Sequence, residues 1–372
     1  MARNGFKVMD SDMHVIEPVD LWETYIDPSF RDRAPRGLTR FQGDMMMEVS
    51  GKNVPYWRSS PRYFDWQKHI AEEQDDVYRY SYERNWDSAT QVRAMDLEGL
   101  DVAFLYPSRG LYTLAVDGMD PALGAAIATA YNRWMQDFCS IAPKRMYGAS
   151  MVSAFDVESA VTEARASVHG QGMKAIFIRP NIINGRNWHD TYYDPLWAEI
   201  ESLGVPLGFH EGASALLPQV GDRLETFMMH HTVCHPVNMM LAVVSLIGGG
   251  VLERFPNLNV GFLEGNCGWA PWLIWRLDEH NELVGRFESP ELRLEPRDYF
   301  LRQCFVSVEV DETPAAYVEA SGLGSTVVFS TDYPHNDSKF PKATDVFLEM
   351  PLSEEFKRAI LWDNCARMYG FN

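Results

Sequence analysis

The sequence predicts an α/β protein, a (β/α)8 TIM barrel with a long insertion after its first strand. Three observations lead there. Eight short β-rich runs recur along the 372 residues, longer helical patterns separate most of them, and residues with metal-ligand chemistry stand at several run ends. Short strands alternating with helices make parallel sheets with crossover helices, and one such barrel routinely fills roughly 250 residues or more.

The expected strands are Lys7–Asp12, Asp101–Tyr106, Met146–Val152, Met173–Arg179, Pro206–His210, Asn259–Glu264, Cys304–Val310 and Ser325–Thr331. Helices are expected at Pro121–Ser140 behind Asp120, at Val157–Val168 behind Asp156 and at Asp194–Leu203 before Gly204. Others are Val237–Ile247 before three glycines, Trp269–Val284 and Ser353–Trp362. An aspartate accepts from the free N–H groups at a helix start, and glycine takes the left-handed conformation past its end. Residues 15–85, rich in Pro, Arg, Tyr and Trp, do not fit this repeat. Loops that long are usually functional or self-packed. The expected organisation is one barrel domain over 1–372, with 15–85 as lid and substrate wall and Asn181–Tyr193 lining the same face.

A net charge of -19 repels phosphate backbones and excludes nucleic acid as an expected partner. Five widely spaced cysteines without a CxxC argue against a disulfide framework and suit a reducing cytoplasm. The longest apolar stretch, around Met239 to Leu252, is interrupted by Gly248, Gly249 and Gly250 and reads as too short to span a bilayer. A soluble cytoplasmic protein with a small-molecule substrate and no membrane partner is expected.

Four motifs carry the chemistry. In Asp10-Ser11-Asp12-Met13-His14, strand alternation points Asp10, Asp12 and His14 to one face, with His14 nearest the C-terminal end. Gly208-Phe209-His210-Glu211-Gly212 ends a strand on an imidazole beside small residues. Glu264 ends the sixth strand between Gly261 and Gly265, where a carboxylate is costly unless paired, protonated or metal-bound. Asp332, in Thr331-Asp332-Tyr333-Pro334-His335, follows the last strand, a usual place for a residue that binds metal and moves a proton. Each motif alone also suits a structural role. Together they put Asp12, His14, His210, Glu264 and Asp332 at the end of the barrel where such enzymes do their chemistry.

On these residues the chain resembles the amidohydrolase superfamily. It is most similar to the branch with aminocarboxymuconate semialdehyde, resorcylate and carboxyvanillate decarboxylases and some ring-cleavage product hydrolases. The opening DSDMHVIEP, the strand-five GFHEG, the run GGGVLERFP and the closing STDYPHND carry the resemblance. It implies metal ligands at Asp12, His14, His210 and Asp332. Two positions depart from the pattern. Asp12 stands where the family often has His or Glu, and Glu264 stands where the decarboxylases carry a catalytic histidine. His230, His231 and His235 are the nearby imidazoles that could replace it, and Glu17 is a further candidate ligand.

A donor set of two imidazoles and several carboxylates favours Mn or Fe, with Zn still open, and Glu264 could bridge two ions. The resemblance implies a hydrolase or non-oxidative decarboxylase of a small carboxylated or cyclic compound. Asp332 is its general base, and His235 or His231 its second acid–base group. Arg179, Asn266 and His335 are expected to meet the substrate; Lys174 and Arg276 could also anchor a carboxylate, but a surface or rim ion pair is the expected role for both. The same set also suits a non-haem (di)iron monooxygenase hydroxylating a bulky lipophilic substrate. A homodimer is what the branch implies.

Overall fold

The computed structural model describes residues 3–38, 47–54, 61–212 and 224–371. Eight parallel strands pair in chain order: β1 Met9–His14, β2 Val102–Tyr106, β3 Met146–Met151, β4 Ala175–Ile178, β5 Leu207–His210, β6 Val260–Leu263, β7 Cys304–Val308 and β8 Val327–Phe329. Nearly every strand residue is buried, because the interior covers one face and the helices cover the other. Seven strands fall inside the expected runs. The first does not: it runs two residues further, so His14 belongs to it.

The barrel closes in an unusual manner. Among the described residues no ladder pairs β8 with β1. Side chains stitch the seam instead: Ser11 Oγ donates to Phe329 O at 2.7 Å, and Ser330 Oγ to Asp12 O at 2.9 Å. The His14 N–H donates to Tyr333 O at 2.7 Å. Glycine makes room inside, since a Cβ at Gly208 would run into the Tyr106 ring. That ring hydroxyl meets Tyr369 Oη at 3.2 Å, and Tyr369 Oη donates to Ser11 O.

The insertion after β1 contains three short antiparallel strands (Arg36–Gly37, Met47–Val49, Lys52–Val54) and the helix α1, Pro61–Glu83. Parts of it, 39–46 and 55–60, lie outside the described residues. Helix α1 packs on the loop after β8. Tyr78 is buried and stacks on Phe340 at 5.5 Å, Ser81 Oγ lies 3.3 Å from Tyr333 Oη, and Gln74 donates to Asn336 O at 2.7 Å. The next helix, α2 Ser88–Glu98, was not expected from the sequence; Asp87 caps it by accepting from Thr90 N. From it, Gln91 donates to His14 O at 3.0 Å.

One helix corrects the sequence reading. Helix α3, Phe227–Gly248, starts ten residues before the expected Val237, with Pro236 inside it. By length and composition it is one helix apolar enough to cross a membrane, with 44% of the apolar window buried. The Met239–Gly248 part of the stretch read as too short therefore belongs to a longer apolar helix, which the glycines end. Its buried stripe includes His230, Cys234, His235 and Asn238, the polar inner face of a barrel helix.

Candidate metal centre

The ends of β1, β5, β6 and β8 converge. His14 Nε2 lies 3.1 Å from His210 Nε2, 3.2 Å from Glu264 Oε2, 3.6 Å from Asp332 Oδ1 and 3.8 Å from Asp12 Oδ1. His210 Nε2 lies 3.2 Å from Asp12 Oδ1 and 3.0 Å from Glu264 Oε2. Two overlapping groups, Asp12–His14–His210 and His14–Glu264–Asp332–His335, each offer one donor atom per residue within 4.8 Å of the others. The five expected ligands are thus together, with His335 as a sixth member.

Local structure aims these groups. His14 Nδ1 lies 2.8 Å from Pro107 O and His210 Nδ1 2.8 Å from Glu211 O, so each ring gives its Nδ1 proton to the backbone and turns Nε2 inward. Glu264 and Asp332 sit in the left-handed region, φ 51 and 55, which costs a non-glycine residue free energy and recurs at functional sites. Hydroxyls hold both turns: Ser307 Oγ accepts from Glu264 N at 2.8 Å and Ser330 Oγ from Asp332 N at 3.1 Å.

The electrostatics call for a cation. Asp12 Oδ1, Glu264 Oε2 and Asp332 Oδ1 are buried with no hydrogen-bond donor aligned on any of them. Burial lowers the His210 pKa, yet the Asp12 and Glu264 carboxylates outweigh it and raise it to about 10. Burial, and then the facing Glu264, pushes Asp332 well up. Glu264 goes down, because the imidazoles of His210 and His335 outweigh its own burial. A proton on an imidazole is one way to supply positive charge here; a divalent ion would serve all these donors at once. The residues present fit such an ion.

Other expected site residues occupy varied places. His235, on α3, brings Nε2 to 3.4 Å from Glu264 Oε1. His231 stands behind it, ring centroids 4.4 Å apart. His335 places Nδ1 2.7 Å from Asp332 Oδ1, its other nitrogen 3.0 Å from Ser108 Oγ. Asn266 lies half-buried in the turn two residues beyond Glu264, at φ 61.

The proposed substrate cations do not reach the centre as expected. Arg179 is buried, with donors on Leu114 O, Ile182 O and Asp117, so it braces its own loop. Lys174 is exposed just before β4, at the opposite end of the barrel, and Arg276 is exposed on an outer helix. Glu17 is not aimed at the centre: its carboxylate accepts from the N–H groups of Ser108, Arg109 and Gly110.

Asp10 also departs from the alternation. A register shift between Asp10 and Met13 breaks the two-residue period, and Asp10 turns to the seam. It accepts from Asp12 N at 3.0 Å and from Thr331 N at 3.2 Å and the Thr331 hydroxyl. Burial lifts its pKa to about 7. The sequence reading missed Glu309, just past β7, whose pKa rises to about 8 through burial and the nearby Asp337 and Glu264. Its place after the seventh strand was the available signal.

A family model described as Amidohydrolase matches residues 10–371. A 2-amino-3-carboxymuconate-6-semialdehyde decarboxylase of Dictyostelium discoideum is 26% identical over 296 residues, 77% of each chain. A gamma-resorcylate decarboxylase of Rhodococcus jostii is 23% identical over 308 residues, 76% of this chain and 90% of its own. Among solved structures, an amidohydrolase from Mycobacterium avium subsp. paratuberculosis superposes with TM-score 0.80 at 21% identity, covering 99% of this chain and 100% of that one. A 5-carboxyvanillate decarboxylase of Novosphingobium aromaticivorans, in complex with manganese and 4-hydroxy-3-methoxy-5-nitrobenzoic acid, reaches 0.70 at 17% identity, covering 99% and 97%.

Proposed function

The chain belongs to the amidohydrolase family, and from that premise we propose that it is a non-oxidative decarboxylase of a small carboxylated ring compound. It is a metal-dependent enzyme of the carboxy-lyase or hydrolase type; both curated relatives are decarboxylases. The observation that carries the reading is the convergence of three buried carboxylate oxygens, none with an aligned donor, on two inward Nε2 atoms. Asp12, His14, His210, Asp332 and Glu264 would hold the ion. The oxygen-rich donors favour manganese or iron, and the manganese in the 5-carboxyvanillate decarboxylase structure supports the former.

A divalent ion there supplies a Lewis acid that stabilises negative charge developing on a substrate oxygen. Exchange of a ring carboxylate for hydrogen also needs a proton donor. His235 Nε2 would be that donor; Glu264 occupies the strand-six position, and the approach of His235 to it from α3 supports the assignment. His231 supports that ring from behind. Asp332, facing His335 at 2.7 Å, forms a second acid–base couple. A cavity of about 270 Å³ opens beside β1, lined by Glu17, Trp86 and Arg109 among others. Buried Arg109 is the guanidinium at its wall, with Nη1 donating to Glu17 O at 3.0 Å, and would face a substrate carboxylate there. The insertion 15–85, which packs on the Asp332 loop through Tyr78, would serve as lid and substrate wall, with Asn266 and His335 facing the substrate.

We place the enzyme in the cytoplasm, a reading supported by five free, buried cysteines. A homodimer is supported by Trp272, Trp275, Leu283 and Phe287, all exposed on one helical stretch. Arg276 and Arg286 flank Glu279 and Glu282 there, so a second copy can offer opposite charge. The oxygenase alternative gains no support from these relatives.

Metal analysis and carbon dioxide release test the reading together. One manganese per chain, with release of carbon dioxide from hydroxylated benzoates, is the expected result. Two irons with an oxygen-sensitive optical band, or no stabilisation by any divalent ion, would overturn it.

A further inference from the structure

His235 is held from two sides. Its Nε2 lies 3.4 Å from Glu264 Oε1, and its Nδ1 lies 3.0 Å from the sulfur of Cys234. Both residues are buried, Cys234 completely. The same sulfur is 3.6 Å from His231 O, a longer and weaker outlet for its proton.

A neutral imidazole has one N–H, and the partner of one nitrogen decides which form is present. With the proton on Nδ1, Nε2 would turn a lone pair toward a glutamate oxygen. Two acceptors facing each other away from water are costly. With the thiol donating to Nδ1, the ring proton sits on Nε2 and donates to Glu264, and both contacts are satisfied. Transfer of the thiol proton to Nδ1 leaves this arrangement intact, since Nε2 keeps its hydrogen either way.

We propose that Cys234 is a positioning residue: its S–H, donated to Nδ1, fixes the proton of His235 on Nε2, facing Glu264 and the reacting centre. In catalytic terms this rests on the reading of His235 as the proton donor of the decarboxylation. As the bond to the carboxylate breaks, its electron pair stays on the ring carbon, which takes the Nε2 proton. The thiol proton moves to Nδ1 and keeps the imidazole neutral; once carbon dioxide and product have left, water returns a proton to Nε2 and the Nδ1 proton goes back to the sulfur.

The first test reads the tautomer and not turnover. Long-range 1H–15N spectra of 15N-histidine-labelled, zinc-loaded protein separate the two nitrogens of each ring, and His235→Gln identifies the relevant signal. Expected are a protonated Nε2 in the native chain, its loss or mixing in Cys234→Ala, and its return in Cys234→Ser. A native ring protonated only on Nδ1, or a signal unaltered by Cys234→Ala, overturns the proposal. In turnover, Cys234→Ala should lower kcat on the order of tenfold, the size usual for a partner that orients a functional imidazole, with KM and metal content unchanged. Rescue by Cys234→Ser supports the proposal, and failure of rescue in folded, metal-loaded protein counts against it. Full turnover in His235→Gln would instead remove the assignment of His235 as proton donor, leaving the tautomer result to stand by itself.

Discussion

The Nε2 atoms of His14 and His210 face each other at 3.1 Å while each ring has its Nδ1 on a backbone carbonyl, Pro107 for one and Glu211 for the other. In two neutral rings these would be opposed lone pairs, with carboxylate oxygens around them. The arrangement makes chemical sense around a positive charge. It makes the centre a cation site in electrostatic terms before any particular ion is considered.

Addition of manganese should therefore stabilise the fold. A ligand bound only by the folded chain contributes about 2.7 kcal/mol at one hundred times its dissociation constant. Thermal unfolding with and without a chelator measures it. A midpoint indifferent to all divalent ions would be the contrary result.

The affinity should rise with pH. His210 holds its extra proton up to about pH 10 because Asp12 and Glu264 face it, and the Glu309 pKa of about 8 adds a second proton below that value. An incoming ion needs Nε2 unprotonated, so binding expels protons and strengthens as their concentration falls. One proton released corresponds to about a tenfold gain per pH unit below the pKa. Calorimetric titrations at pH 6, 7 and 8 in buffers of different ionisation enthalpy count the protons directly.

Glu264→Gln keeps the shape of the strand-six turn and removes one charge. The expected loss of metal affinity is on the order of tenfold or more, since a carboxylate oxygen is replaced by a weaker neutral donor. Unchanged metal content and unchanged carbon dioxide release would assign Glu264 to structure alone.

Asp10→Asn attacks the seam. Asp10 accepts three hydrogen bonds, one from Asp12 N and two from Thr331, and an amide nitrogen would face one of these donors. The expected loss is about 1–3 kcal/mol, the cost of an unsatisfied buried group. The pH dependence has a definite sign. A carboxyl raised from 3.8 to about 7 binds its proton more tightly in the folded chain, so in metal-free protein its contribution falls as pH climbs from about 4 to 7. Urea melts across that range should show this slope in the native chain and a smaller one in Asp10→Asn.

The barrel was legible because its strands are buried on both faces and read as compact apolar runs ending in polar residues. Asp12, His14, His210, Glu264 and Asp332 could be found by their places at those ends. Asp10 could not, since the register shift in β1 cancels the alternation on which its placement relied. The start of α3 was hidden by Pro236, a helix breaker in general that is here accommodated inside a 22-residue helix. Arg179 illustrates another limit: its position after β4 suggested a substrate cation, and only the fold reveals Asp117 and two carbonyls taking its donors. Glu17 likewise looked like a ligand until Ser108, Arg109 and Gly110 were brought to it by the end of β2.

The stitched seam has a consequence in the life of the protein. Asp12 belongs to β1 and Asp332 follows β8, so an ion held by both would straddle the gap that lacks a backbone ladder. Chains without metal would then gape there more often than loaded ones and show proteases the unpaired strand edges. In a cell short of the ion, the abundance of this enzyme would fall along with its turnover, and quality control would act as the metal sensor.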